Sequence, residues 1–145
     1  MGLIPPRLHM RFPCSSRYAA RARRAFTTYL TRARVEPKLQ AELESAVGEA
    51  IANAIEHGHP DARWFEVRCL IRPGEIVTEV EDDGFGFQAN PVQPPPGHVR
   101  GFGFGIMRSL VDELHVLKNG RLVRFSKRLA TGAADLRQNE RARSG

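Results

Sequence analysis

Apolar and polar residues alternate singly at the start of the chain. In residues 7–12, RLHMRF, Leu8, Met10 and Phe12 fall on one side and Arg7, His9 and Arg11 on the other, the period of a half-buried strand. Pro13 ends it. The period then lengthens. From a cap at Ser15 or Ser16 to about residue 33, Ala22, Phe26, Tyr29, Leu30 and Ala33 recur at helical spacing. Pro37 separates this helix from a second, over about 38–56, whose apolar stripe is Leu39, Leu43, Ala46, Val47, Ala50, Ile51 and Ala54. Gly58 is expected as its C-cap, and Pro60 blocks continuation. WFEVRCLIR (64–72) and EIVTEVED (75–82), parted by Pro73-Gly74, read as an antiparallel pair. Residues 89–100 hold four prolines and cannot be regular structure. GFGFGIMRSLVDELH (101–115) reads as a glycine-rich opening of a helix. Asn119-Gly120, flanked by apolar alternation, marks a closing hairpin.

The order βα, α, ββ, loop, α, ββ predicts an α+β fold. It should be a two-layer sandwich: a mixed, mostly antiparallel sheet with helices on one face. One domain over 8–129 is expected, with a flexible start (1–7) and a disordered tail (130–145) of small and charged residues.

Composition narrows the classes. Two cysteines in 145 residues give no disulfide framework, so a reducing, cytoplasmic setting is expected. No stretch reaches the roughly 18 apolar residues of a membrane span. The net charge of +6 is uneven: residues 1–35 carry eight arginines and no acid. A targeting segment shares that composition, but this segment also carries a core pattern. Arg17, Arg21 and Arg24 share one helix face. That face is either merely solvated or an electropositive surface for an acidic partner. Nucleic acid is not favoured, because no helix-turn-helix, zinc or aromatic RNA-binding pattern accompanies the charge.

Three segments can carry chemistry. In GEAIANAIEHG (48–58), Glu49, Asn53 and His57 lie four apart and so on one helical stripe. Polar residues at that spacing most often face solvent, yet this stripe borders Ala46, Ala50 and Ala54, and asparagine is a poor mid-helix residue. A carboxylate and an amide oxygen are hard ligands of the kind Mg²⁺ takes. DDGFG (82–86) is not a calcium loop, since the residue where the bidentate acid would fall is Asn90. GFGFG (101–105) is neither a dinucleotide fingerprint nor a P-loop. Glycine-rich backbone opening a helix still offers free N–H groups to an anion, most often phosphate.

Taken together, the boxes Glu49-x-x-x-Asn53, Asp82-x-Gly84-x-Gly86 and Gly101-x-Gly103-x-Gly105 resemble the Bergerat ATP-binding fold. Gyrase, the ninety-kilodalton heat-shock chaperone, sensor histidine kinases and MutL-type ATPases share it. The length and the N-terminal βα unit look like its anti-sigma-factor serine/threonine kinases. The resemblance covers about residues 8–129. It implies that Asn53 holds Mg²⁺ against ATP, that Glu49 is the general base, and that His57 has a structural role. It implies that Asp82 accepts from the adenine amino group and that Gly84 and Gly86 let the base approach the backbone. Residues 87–100 would be a lid. Gly101, Gly103, Gly105 and Arg100 would serve the phosphates. The implied partners are a sigma factor, an anti-anti-sigma antagonist as phosphoacceptor, and a second copy of the chain in a homodimer. Alternatives are a nucleotide-dependent binding module with little or no kinase activity and a histidine-kinase catalytic domain. The last is disfavoured because His9 lies in a strand. Two departures stand out: Arg121 where the family's last hairpin carries Thr after Gly, and a proline-rich lid.

Overall fold

The computed structural model describes residues 7–58, 61–84 and 102–129, without the side chains of 102 and 103. Five strands and three helices follow in the order β1 (Arg7–Pro13), α1 (Ala19–Arg32), α2 (Pro37–Gly58), β2 (Trp64–Arg72), β3 (Glu75–Asp82), α3 (Phe102–Leu110), β4 (Glu113–Leu117) and β5 (Leu122–Arg128). They form one sheet in the order β1-β2-β3-β5-β4. All four pairings are antiparallel.

The alternation sets the layers. Leu8, Met10 and Phe12 of β1 face the helices, as do Phe65, Val67 and Cys69 of β2 and Ile76, Thr78 and Val80 of β3. Phe125 and Val123 complete that face from β5. Against it lie Ala22, Phe26, Tyr29 and Leu30 of α1 and Leu43, Val47, Ala50 and Ile51 of α2. Phe26, Leu30, Leu43 and Ile51 are fully buried. Each such side chain contributes roughly 1.5–3 kcal/mol over its exposed state. Ala33 is the one residue of the expected α1 stripe that is only half-buried. Among the described residues no helix is long and apolar enough to cross a membrane.

The other sheet face is charged and laced across the strands. Glu66 on β2 takes Arg11 from β1 at 2.5 Å and Arg68 at 2.6 Å. Arg68 also bonds Glu79 and Glu81 of β3, and Arg124 of β5 bonds Glu79. Burial pushes Glu66 up, but its bonds to Arg11 and His9 prevail and hold it below the usual carboxylate range.

Several boundaries differ from the sequence expectation. Ser15 caps a short 3₁₀ turn, Ser16–Tyr18, ahead of α1 rather than α1 itself, so Arg17 sits in that turn. Gly58 is the last residue of α2, not a left-handed cap beyond it. Its reason is steric: a Cβ there would lie 2.6 Å from Ala62 Cβ and 3.2 Å from Cys14 Sγ. The helix expected over 101–115 starts at Phe102 and stops at Leu110. It stops because Asp112 already belongs to the sheet, its N–H donating to the Ser126 carbonyl at 2.9 Å. The closing hairpin forms, but Leu117 pairs with Leu122, so its loop has four residues, not two. Lys118 and Asn119 take positive φ (51° and 58°) ahead of Gly120 (92°). The expected tail and N-terminal segment lie outside the described residues, apart from Arg7 at the start of β1.

Candidate functional site

A narrow cleft opens where the C-terminal half of α2 meets the ends of β3 and β5. Its walls include Ala50, Asn53, His57, Val80, Asp82 and Arg121, with Phe104 of α3 beside them. Each chemical residue has a local reason for its place. Asn53 falls one turn after Glu49 on the α2 face bordering the core, and is only 9% exposed. Its Nδ2 is buried without a hydrogen-bond partner among the described residues. Buried polar groups are almost always paired, so an N–H donor without a partner among the described residues suits an acceptor such as a phosphate oxygen. Ala50 and Ala54 flank it and leave room for that approach.

Asp82 ends β3 on the helix-facing side, where the strand's alternation would otherwise place an apolar residue. It is 5% exposed. Its Oδ1 accepts the Gly84 N–H at 2.8 Å, and its own N–H donates to the Arg121 carbonyl at 2.9 Å. Burial pushes the carboxyl up to about 6 against the lowering effect of the Gly84 bond. Neighbouring Asp83 raises it further, and the Arg121 charge opposes that. Asp83 itself turns away and ties Arg63 and Trp64 N–H groups at 2.6 and 3.0 Å. A largely buried carboxylate, aimed by one backbone bond, is an acceptor poised for a donor.

Gly84 is required by packing. A Cβ there would lie 2.9 Å from Asp82 Oδ1 and 3.2 Å from Gly58 Cα. Gly58 and Gly84 thus let the end of α2 and the end of β3 touch, which brings Asn53 and Asp82 to one cleft. Gly103 and Gly105 lie inside the first turn of α3, not in a loop ahead of it. The first four N–H groups of a helix have no intrahelical acceptor, so both still belong to a set of free donors. A Cβ on Gly105 would meet nothing within 4 Å, so packing does not explain that glycine.

Glu49 is half-buried one turn before Asn53 and does not line the cleft around Asp82. Arg17, Arg21 and Arg24 are exposed and do not line the cleft. Arg21 lies 5.8 Å over the Tyr18 ring, and no carboxylate pairs with any of the three among the described residues. Gly86, Arg100, Gly101 and the lid over 87–100 lie outside the described residues.

Among the described residues no group of three His, Cys, Asp or Glu side chains could hold a metal by itself. Mg²⁺ needs no such cage, since it keeps several waters and takes one or two protein ligands beside phosphate. Asn53 Oδ1 is an oxygen of the kind that single-ligand role would use, while the unpartnered Nδ2 is a donor and suits a phosphate oxygen rather than the cation. A larger concavity, about 700 Å³, lies on the charged sheet face and includes His9, Arg68, Glu79 and Arg124. Its principal acids are already paired across the strands, so it lacks the unsatisfied groups that mark the α2 cleft.

Two residues of this region escape the motif reading. Cys14 sits behind the cleft, its Sγ donating weakly to the Ala54 carbonyl at 3.7 Å. Burial, with Asp82 and Asp83 nearby, pushes this thiol up to about 11, so it is inert packing. No sequence signal places it there. Phe104 was legible only as part of a glycine-rich string.

Comparison with known proteins agrees with this fold. The family described as "Histidine kinase-like ATPase domain" matches residues 12–127. An anti-sigma F factor of Clostridium novyi (strain NT) is 28% identical over 137 residues, covering 85% of this chain and 94% of the relative. An anti-sigma F factor of Thermoanaerobacter sp. (strain X514) is 31% identical over 108 residues, covering 66% and 76%. The crystal structure of the RsbU and RsbW domains of a Mycobacterium tuberculosis protein superposes with a TM-score of 0.63 at 19% identity. It covers 86% of this chain and 32% of that longer one. The chain therefore belongs to the histidine kinase-like ATPase domain family, on the branch that holds the anti-sigma F factors.

Proposed function

We propose that this protein is an ATP-dependent serine/threonine kinase that acts as a cytoplasmic anti-sigma factor. The observation that carries the reading is the pairing of an orphaned buried amide, Asn53, with a desolvated carboxylate, Asp82, in one cleft beside the first turn of α3. Asp82 accepts from the adenine amino group, and Gly84 holds it in that orientation. Asn53 contributes the one protein ligand to Mg²⁺. The free N–H groups at the start of α3, with Gly101 and Arg100, receive phosphate oxygens. Mg²⁺, when bound, neutralises charge on the phosphates during transfer. Glu49 takes the proton from the hydroxyl of an incoming serine or threonine as that oxygen bonds the terminal phosphorus and ADP leaves.

The acceptor is an anti-anti-sigma antagonist protein, and the inhibited partner is a sigma factor. The family match and the names of the relatives support this reading. The arginines Arg17, Arg21 and Arg24, which pair with no carboxylate among the described residues, form the docking face for the sigma factor in the functional homodimer. A second reading is favoured by Arg121 beside the base end of the cleft: a nucleotide-dependent binding module with little transfer. One experiment separates the two. Radiolabel transfer from ATP to an antagonist co-purified from the native cell is measured beside ATP binding. Wild type should transfer. Glu49→Gln should keep binding and lose roughly 10²–10⁴-fold in rate. ATP binding without transfer by the wild type leaves the binding module.

A further inference from the structure

The turn that carries Arg121 is held more firmly than a connecting loop needs to be. Lys118 takes positive φ ahead of Asn119 and Gly120, an arrangement that a lysine adopts mainly where its surroundings impose it. Lys118 Nζ is pinned to Glu81 Oε2 at 2.8 Å, which fastens the turn across the end of β3. Arg121 N–H donates to the Lys118 carbonyl at 3.1 Å, and Arg121 Nε donates to the same oxygen at 3.1 Å. The Arg121 carbonyl receives the Asp82 N–H at 2.9 Å. The turn therefore sets an arginine directly beside the buried carboxylate and lines the cleft with it. With Nε occupied, the terminal nitrogens of this guanidinium have no acidic partner among the described residues. Its charge is felt at Asp82.

A purine presents neighbouring groups on its pairing edge, and in adenine these are the N6 amino donor and the N1 acceptor. We propose that Arg121 is a second base-reading residue: it donates to adenine N1 while Asp82 accepts from the N6 amino group. This rests on the nucleotide reading above. A fixed donor beside a fixed acceptor matches the adenine edge in one orientation, whereas Asp82 alone takes any donor. Arg121 therefore sharpens selection for adenine.

The test uses ADP and 1-deaza-ADP, in which N1 is replaced by C–H. Their dissociation constants are measured by calorimetry with Mg²⁺ for wild type, Arg121→Ala and Arg121→Lys. Wild type should bind ADP roughly ten- to a hundredfold more tightly than 1-deaza-ADP, the range for a hydrogen bond from a charged donor. In Arg121→Ala that ratio should fall towards one, and Arg121→Lys should restore part of it. The Asp82 N–H bond uses the backbone of residue 121, so these substitutions leave it in place. Any change they cause in Asp82 ionisation affects both ligands equally and cancels in the ratio. Equal ratios in wild type and Arg121→Ala overturn the proposal while leaving nucleotide binding intact. Absence of ADP binding by wild type overturns the nucleotide reading and this proposal with it.

Discussion

Replacing Asp82 by Asn should make the free protein more stable and the ATP complex weaker. The buried carboxyl is pushed from its ordinary 3.8 to about 6, chiefly by burial. A rise of that size corresponds to about 3 kcal/mol between the two protonation states. The cleft opens to solvent, so screening reduces the cost to roughly 1–2 kcal/mol. The sign follows from linkage. An acid with a raised folded value favours the fold while protonated, below about pH 4. That advantage is lost as pH rises through about 6, and above that the ionised form carries the full cost. Asn keeps an oxygen for the Gly84 N–H and carries no charge to desolvate.

The assay is urea unfolding of both proteins without nucleotide, from pH 4 to pH 8. Other acids also titrate there. Burial pushes Glu66, Glu79, Glu81 and Asp83 up, but their bonds to basic side chains and, for Asp83, to backbone N–H groups outweigh it. All four therefore sit low and lose stabilisation as pH falls. The difference between the two proteins cancels them. It should be near zero at pH 4 and reach about 1–2 kcal/mol in favour of Asp82→Asn by pH 7.5, a gain of roughly 3–8 °C in Tm for a domain of this size. ATP affinity of the wild type should meanwhile fall as pH drops through 6, because a protonated Asp82 loses acceptor capacity. A stability difference that does not change with pH would refute the argument from desolvation.

Asn53→Ala should alter stability by no more than about 1 kcal/mol in thermal unfolding, since the amide nitrogen it removes has no partner; Mg²⁺-dependent ATP binding should be lost in the same variant by calorimetry. Gly84→Ala should destabilise by roughly 1–3 kcal/mol in urea, because its Cβ would press on Gly58 Cα at 3.2 Å; an unchanged midpoint would mean the two backbones are not held in contact. Arg68→Met should cost roughly 1–3 kcal/mol, because it removes one charged partner from each of Glu66, Glu79 and Glu81, which keep only Arg11 with His9, Arg124 and Lys118; the loss should be smallest at low pH, where those acids protonate. Arg21→Glu should weaken sigma-factor binding, more at low salt than at high salt, and surface plasmon resonance at two ionic strengths with equal affinities would leave that arginine face merely solvated.

The strands were legible because one face of the sheet is buried. Val67, Val80 and Phe125 could not be moved by one residue without putting Arg68, Glu79 or Arg124 in the core. Asn53 was legible as a poor mid-helix residue bordering small alanines, and Asp82 through the resemblance of its glycine-flanked box. Gly58 was misread because a glycine at a helix end serves either a left-handed cap or a close approach, and only its spatial neighbours Ala62 and Cys14 decide. The end of α3 was misread for a related reason: no Gly or Pro in residues 106–115 breaks the helix, but Ser126 and Arg128 claim Asp112 for the sheet.

What no pattern could supply is the link between β3 and β5. These strands pair although α3 and β4 intervene, and that pairing alone sets the residue after the Asn-Gly turn beside the last residue of β3. In the linear sequence nothing sets Asp82 beside Arg121. Once paired, the same closure that buries the acid and raises it to about 6 also supplies the cation that tempers it. The desolvation that weakens the empty protein is therefore the condition for strong acceptance from a ligand, because an acid that water already satisfied would gain little from a base amino group. Stability of the free chain and affinity for nucleotide should thus move in opposite directions for changes at Asp82. Changes at Asn53 should show no such pH dependence, since its neutral, unmet donor costs the fold the same at every pH.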